Sequence, residues 1–143
     1  MQKEDVEKLY GIALRSFLPD FEKFGVYPPL LDLKHKKFRP PRMFGKTILA
    51  GGTVIGGAFV ATFGKNGEIG AIFLDPPHQR KGYGKQAMIR IEEMHPGVKR
   101  WKLETPAESF GLHAFYESLG YVKAGERKDR KTGMIGLLMH KKR

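Results

Sequence analysis

A basic, glycine-bearing loop separates two apolar runs of different period. Ile69-Gly70-Ala71-Ile72-Phe73-Leu74 reads as a strand. Gln79-Arg80-Lys81-Gly82-Tyr83-Gly84 follows it, and residues 85–94 then carry helical spacing. Strand, loop, helix is the order in which a chain offers unpaired backbone N–H groups to a phosphate. Glycine permits close approach and positive φ, and Arg80, Lys81 and Lys85 bring cations to the same place. The stretch therefore points to a site for a phosphorylated ligand, most simply a cofactor. Two familiar phosphate loops do not fit. Gly84-Lys85 is followed by Gln86 where the Walker pattern needs Ser or Thr, and Ala87 stands where the dinucleotide fingerprint has its third glycine. An ordinary strand-to-helix turn is the bland alternative.

The rest of the chain organises around this loop. Residues 4–17 read as an amphipathic helix, with Val6, Leu9, Tyr10, Ala13, Leu14 and Phe17 at spacings of three and four and Pro19 just beyond its end. Residues 18–42 hold five prolines and read as loops with one or two helical turns. Strands are expected over 44–50 and 54–63, turned by Gly51-Gly52. Gly64-Lys65-Asn66-Gly67 reads as a hairpin turn in which Asn-Gly favours a type I′ bend, and 68–74 follows as a strand. Met88, Ile91 and Met94, with Ala87 beside them, mark the buried face of the next helix, which Pro96-Gly97 ends. Residues 99–104 form a strand and 110–119 a helix capped by Gly120. Residues 121–125 and 134–140 pair as the last strands. No repeat or low-complexity run is present.

Gln79, Gly82 and Gly84 match Gln/Arg-x-x-Gly-x-Gly/Ala, and the pattern resembles the acyl-CoA loop of the GCN5-related N-acetyltransferase (GNAT) family. Ala114-Phe115-Tyr116-Glu117-Ser118-Leu119-Gly120-Tyr121-Val122 resembles that family's later helix-turn-strand signature. Trp101-Lys102-Leu103-Glu104 and the stretch 134–140 fit its later strands. The resemblance covers residues 44–143 well and 1–43 only through the opening helix. It implies a single α/β (α+β) domain over 1–143: a mixed, mostly antiparallel, twisted sheet flanked by helices. Residues 1–43 would lie on the acceptor side, and 44–143 would form the acetyl-CoA-binding core. The family usually opens with a strand, and here that edge strand is expected to be short or missing. The edge is then exposed, covered by the irregular segment or paired with a second copy, so a homodimer is one expectation.

The same resemblance implies direct acetyl transfer to an amine in a ternary complex. Backbone N–H groups from Arg80, Lys81, Gly82, Tyr83, Gly84 and Lys85 would hold the pyrophosphate, with Gln79 opening the loop. Strand residues Ile72, Phe73 and Leu74 would hydrogen-bond the pantetheine. Tyr116 would be the general acid for the leaving thiolate. Glu104 would be the base, working through a water, with Glu68 or water alone as alternatives, because an alkylammonium near pKa ~10.4 must lose a proton. Ser109 stands where the family often has Asn. It can cap a helix but reaches less far toward the cofactor.

Composition narrows the classes. There is no cysteine, which excludes disulfides, thiolate metal sites and a Cys nucleophile. The histidines at 35, 78, 95, 113 and 140 make no ligand-spaced pair, so no metal is expected. Residues 1–5 lack a signal-peptide core and no long apolar run exists, so the expectation is a cytoplasmic protein without a membrane partner. A net charge of +11, with clusters at 34–46, 127–131 and 141–143, suits solvated surface or an acidic partner. The second functional class is therefore a non-catalytic basic module that docks on an acidic protein or nucleic acid. No RNA-binding or helix-turn-helix signature supports that class. The acceptor is not written in any motif.

Overall fold

The computed structural model describes residues 2–39 and 43–143; Pro40, Pro41 and Arg42 of the irregular basic stretch lie outside the described residues. Its elements are α1 (Val6–Phe24), β1 (Leu31–Asp32), β2 (Lys37–Phe38), β3 (Phe44–Ala50), β4 (Thr53–Phe63), β5 (Asn66–Leu74), α2 (Tyr83–Met94), β6 (Arg100–Pro106), α3 (Phe110–Ser118), β7 (Val122–Lys128) and β8 (Ile135–Lys142). A six-stranded sheet has the order β3-β4-β5-β6-β8-β7. β5 and β6 run parallel, whereas β3–β4, β6–β8 and β7–β8 are antiparallel. No described residue ahead of α1 is in a strand, and β3 stands at one end of the sheet order. Among the described residues, no helix is long and apolar enough to cross a membrane.

The chain divides into two compact units, residues 1–61 with 70–87, and residues 62–69 with 88–143. In the first, Leu9, Tyr10, Ile12 and Ala13 of α1 bury against Leu31, Phe59 and Phe73. Phe38 of β2 sits 4.9 Å from the Phe59 ring and 5.8 Å from that of Phe73. Gly56 and Gly57 make this closeness possible. A Cβ at Gly56 would meet the Phe73 carbonyl at 2.1 Å, and one at Gly57 would meet the Phe73 ring at 2.8 Å. In the second unit β6 alternates cleanly. Trp101, Leu103 and Thr105 are buried, while Arg100, Lys102 and Glu104 are exposed, the period-two signature of a strand with one open face.

Four local expectations are corrected. Helix α1 does not stop before Pro19 but runs through it to Phe24. Proline removes one helical hydrogen bond, yet the extra turn brings Phe21 onto Tyr27, 4.6 Å away and stacked. Gly25, at φ +79°, then closes the helix with its N–H on the Phe21 carbonyl. The stretch 18–42 also contains a hairpin, β1 paired with β2, in which Asp32 accepts from His35 N–H and ion-pairs with Arg39. The hairpin between β4 and β5 turns at Gly64-Lys65, with Gly64 at φ +62°, not at Asn66-Gly67. Gly67 instead lies in the strand under Trp101, whose ring a Cβ would meet at 2.6 Å. On α2, Met94 is exposed, and Glu92 joins Met88 and Ile91 among the buried residues. The Lys141 ammonium, 3.0 Å from its carboxylate, compensates that buried charge.

Candidate active site

In the first unit the loop between β5 and α2 is built by backbone geometry. Arg80 holds φ +60° and Gly82 φ +87°, while Gln79 before them is extended. Left-handed residues separated by a residue of negative φ form a concave run of N–H groups suited to anions. A non-glycine residue held left-handed costs of order 1 kcal/mol or more. Glycine is needed at position 82 for its φ, since the nearest atom a Cβ would meet is 4.0 Å away. The first helical bond runs from Gln86 N–H to the Gly82 carbonyl, 3.1 Å. The N–H groups of Tyr83, Gly84 and Lys85 thus belong to the first turn of α2, where intrahelical partners are absent and the dipole is positive.

The approach to the loop is braced. The Gln79 amide donates to the Leu74 carbonyl at 2.9 Å, so this side chain spans the loop's own entrance. Asp75 N–H donates to the Ile55 carbonyl at 2.8 Å. The Asp75 carboxylate takes both arms of the Arg15 guanidinium, at 2.9 and 3.0 Å. Arg15 and burial pull its pKa in opposite directions; the guanidinium prevails and holds it below the ordinary carboxylate value. The rings of His78 and Tyr83 meet edge to face at 6.2 Å. Phe73 is buried in the apolar core, which leaves only its backbone for a ligand. Among the described residues β5 pairs with β6 over Asn66 to Ile69, and residues 70–74 continue the strand to the loop. Ile72 and Leu74 lie on this stretch.

The second unit holds Glu104, Ser109 and Tyr116. Tyr116 is on α3 and only 8% exposed; burial pushes its hydroxyl up to about 12. Its ring lies 6.0 Å from that of Tyr121, whose hydroxyl is also raised by burial and finds no hydrogen-bond partner among the described residues. At neutral pH Tyr116 is therefore a neutral O–H, able to donate. Ser109 takes the N-cap position of α3 without a side-chain capping bond. Buried His113 donates through Nε2 to the Pro106 carbonyl at 2.9 Å, tying α3 to the end of β6.

Glu104 is not free. Both of its oxygens accept from Arg127, Nε to Oε1 at 2.8 Å and Nη2 to Oε2 at 2.8 Å. β8 lies between the two strands, and its residue at the crossing is Gly136. A Cβ there would meet the Glu104 carboxyl carbon at 2.7 Å. The alternative base, Glu68, lies 3.7 Å from the Lys102 ammonium. In the sequence Arg127 stands out only as part of the basic cluster 127–131, and Gly136 does not stand out at all. An isolated glycine inside an otherwise apolar strand is the signal that marks such a close approach.

The acetyltransferase (GNAT) family model matches residues 6–121. Among solved structures the chain is similar to the ribosomal-protein-S18-alanine N-acetyltransferase from Escherichia coli, at 19% identity and TM-score 0.74, covering 99% of this chain and 90% of that one. It is similar to a PaiA N-acetyltransferase from Thermoplasma acidophilum in complex with coenzyme A, at 17% identity and TM-score 0.75, covering 100% and 96%. A GNAT family acetyltransferase from Elizabethkingia anophelis with acetyl-CoA bound gives 14% identity and TM-score 0.69, covering 94% and 90%. No curated protein sequence matches the chain.

Proposed function

The chain belongs to the acetyltransferase (GNAT) family, and from that premise we propose that it moves the acetyl group of acetyl-CoA directly onto a primary amine, with residues 1–143 acting as one domain. Residues 1–43 take the acceptor side and 44–143 the cofactor core. The observation that carries this reading is the alternating backbone of Arg80 and Gly82 at the head of α2. That geometry turns the loop's N–H groups toward a common side and suits a pyrophosphate.

In this mechanism the N–H groups from Arg80 to Lys85 hold the pyrophosphate. Gln79 keeps the loop in shape, and Ile72, Phe73 and Leu74 offer backbone groups to the pantetheine. Ser109, its hydroxyl unused as a cap, adds a polar contact. Glu104 takes the ammonium proton through a water. The amine nitrogen bonds to the thioester carbon, and the C–S bond breaks. Tyr116 donates its O–H to the departing sulfur and is reprotonated by the proton that the new amide nitrogen sheds. A small-molecule amine, a protein N-terminus and a lysine all satisfy this chemistry.

Thermal unfolding with acetyl-CoA, CoA and pyrophosphate tests the reading. A ligand at a hundredfold excess over Kd stabilises the native state by about 2.7 kcal/mol. The expected result is a rise with both CoA species well above that with pyrophosphate, followed by thiol release in an amine screen. The chain has no cysteine to interfere. An equal rise with any polyanion would instead support a non-catalytic basic module.

A further inference from the structure

We propose that the acceptor carries a carboxylate close to its reactive amine and that Arg127 reads it, releasing Glu104 as it does so. The inference rests on the reading of Glu104 as the base. In the free protein both Glu104 oxygens are already engaged, each accepting a guanidinium N–H. The pair spans three strands. Glu104 is opposite Leu138 on β8, and Arg127 is opposite Gly136 on the same strand. The glutamate side chain lies over Gly136, where there is no Cβ to block it. The pair is held by fit but not sealed in, with the Arg127 side chain 61% exposed and that of Glu104 35%. A partly exposed pair of this kind is cheap to exchange for another carboxylate. A neutral or cationic acceptor offers Arg127 nothing in return.

The surrounding face points the same way. Arg100, Lys102 and Glu104 are the exposed residues of β6. Directly across on β8, Lys142 is opposite Arg100 and His140 is opposite Lys102. Like charges placed opposite one another cost stability. Glu68 sits beside Lys102 and offsets part of that cost, but Arg100 and Lys142 face each other across the register. Once Arg127 has given up Glu104, the face favours an anion and repels a basic acceptor.

The test uses two C-terminally amidated peptides, Ala-Glu-Lys-Glu-Ala and Ala-Gln-Lys-Gln-Ala. Both offer a free α-amine and a lysine. Binding to the CoA-loaded protein is measured by calorimetry at low salt, and acetylation separately by thiol release from acetyl-CoA. The acidic peptide is expected to bind roughly fivefold more tightly, the scale of one partly exposed ion pair. Arg127→Gln removes the difference and Arg127→Lys restores part of it. Equal binding, including none for either peptide, overturns the proposal, as does a difference that survives Arg127→Gln. Binding is read apart from turnover, so a protein that prefers the acidic peptide yet releases no thiol refutes the acetyltransferase reading alone. One that acetylates both peptides equally well refutes only the carboxylate preference.

Discussion

The loop between β5 and α2 and the Glu104–Gly136–Arg127 crossing solve opposite problems. The loop is made of backbone, with its charged side chains at 80, 81 and 85 exposed and its shape set by Arg80 and Gly82. The crossing is made of side chains from strands separated in sequence, Glu104 and Arg127 being 23 residues apart. A backbone site is ready before its ligand arrives. A side-chain pair is satisfied in the free protein and has to be opened. On the proposed reading, one half of the chemistry is preorganised and the other guarded.

The sharpest way to break this contrast is to spoil the loop while sparing the fold. Gly84→Glu places an acid in the first turn of α2, where the helix dipole welcomes it. The melting temperature should therefore hold. CoA affinity should fall by about a hundredfold or more, since a carboxylate now sits where phosphate would, a loss of roughly 3 kcal/mol. Intact CoA binding in calorimetry would remove the loop from the cofactor site.

Next in size is Tyr116→Phe, expected to lower turnover at least ~10-fold with CoA affinity little changed, as removal of a general acid does. Its second readout is alkaline stability. The folded pKa is raised to about 12, above the unfolded value near 10. The contribution is thus complete below pH 10 and is lost as pH rises through 12. The wild type should lose roughly 2–3 kcal/mol more than the Phe variant across that window. Parallel denaturation curves would show the hydroxyl to be less buried than it looks.

These two positions are more legible in the sequence than the crossing is. The loop is written in local glycines and cations, and Tyr116 sits in a contiguous helix-turn-strand stretch, so both can be read along the chain. The guarding of Glu104 cannot, because Arg127 reaches it only through the register of three strands. The same holds for Gly67, which looks like a turn glycine until Trp101 is found above it. Pro19 misleads for a related reason. Local rules stop α1 there, whereas Phe21 and Tyr27, brought together by the extra turn, carry the helix on to Gly25. Segments whose partners are sequence neighbours are readable; those whose partners are strands away are not.

Gly136→Ala sharpens the guarded side. Its backbone is not left-handed, so alanine adds only a Cβ against the Glu104 carboxyl. The carboxylate must swing away and the bidentate pair with Arg127 should break. With the pair broken, Glu104 no longer waits on an acceptor carboxylate, so turnover of the Gln peptide is expected to rise toward that of the Glu peptide, while CoA affinity is untouched and stability drops by no more than ~1 kcal/mol, the worth of a partly exposed pair. Loss of CoA binding as well would mean that the crossing and the loop are not separable.

The smallest effect belongs to the brace that steadies the loop from outside. Arg15 and Asp75 lie at a surface, and a single such pair contributes about 1 kcal/mol or less. Arg15→Ala should therefore leave the fold intact and weaken CoA binding by about twofold to fivefold, while Arg15→Lys recovers part of it. The pH dependence has a fixed sign. The Asp75 pKa is lowered in the folded protein, chiefly by its hydrogen bonds from Arg15. The stabilisation is present above the unfolded carboxylate value near ~3.9 and fades as pH falls through the lowered folded one. Wild type and Arg15→Ala should then differ in stability at pH 6 and converge under acid conditions. A difference that persists in acid would assign the Arg15 effect to packing of its aliphatic stem, and the loop would have to keep its shape through Gln79 and the Asp75 backbone alone.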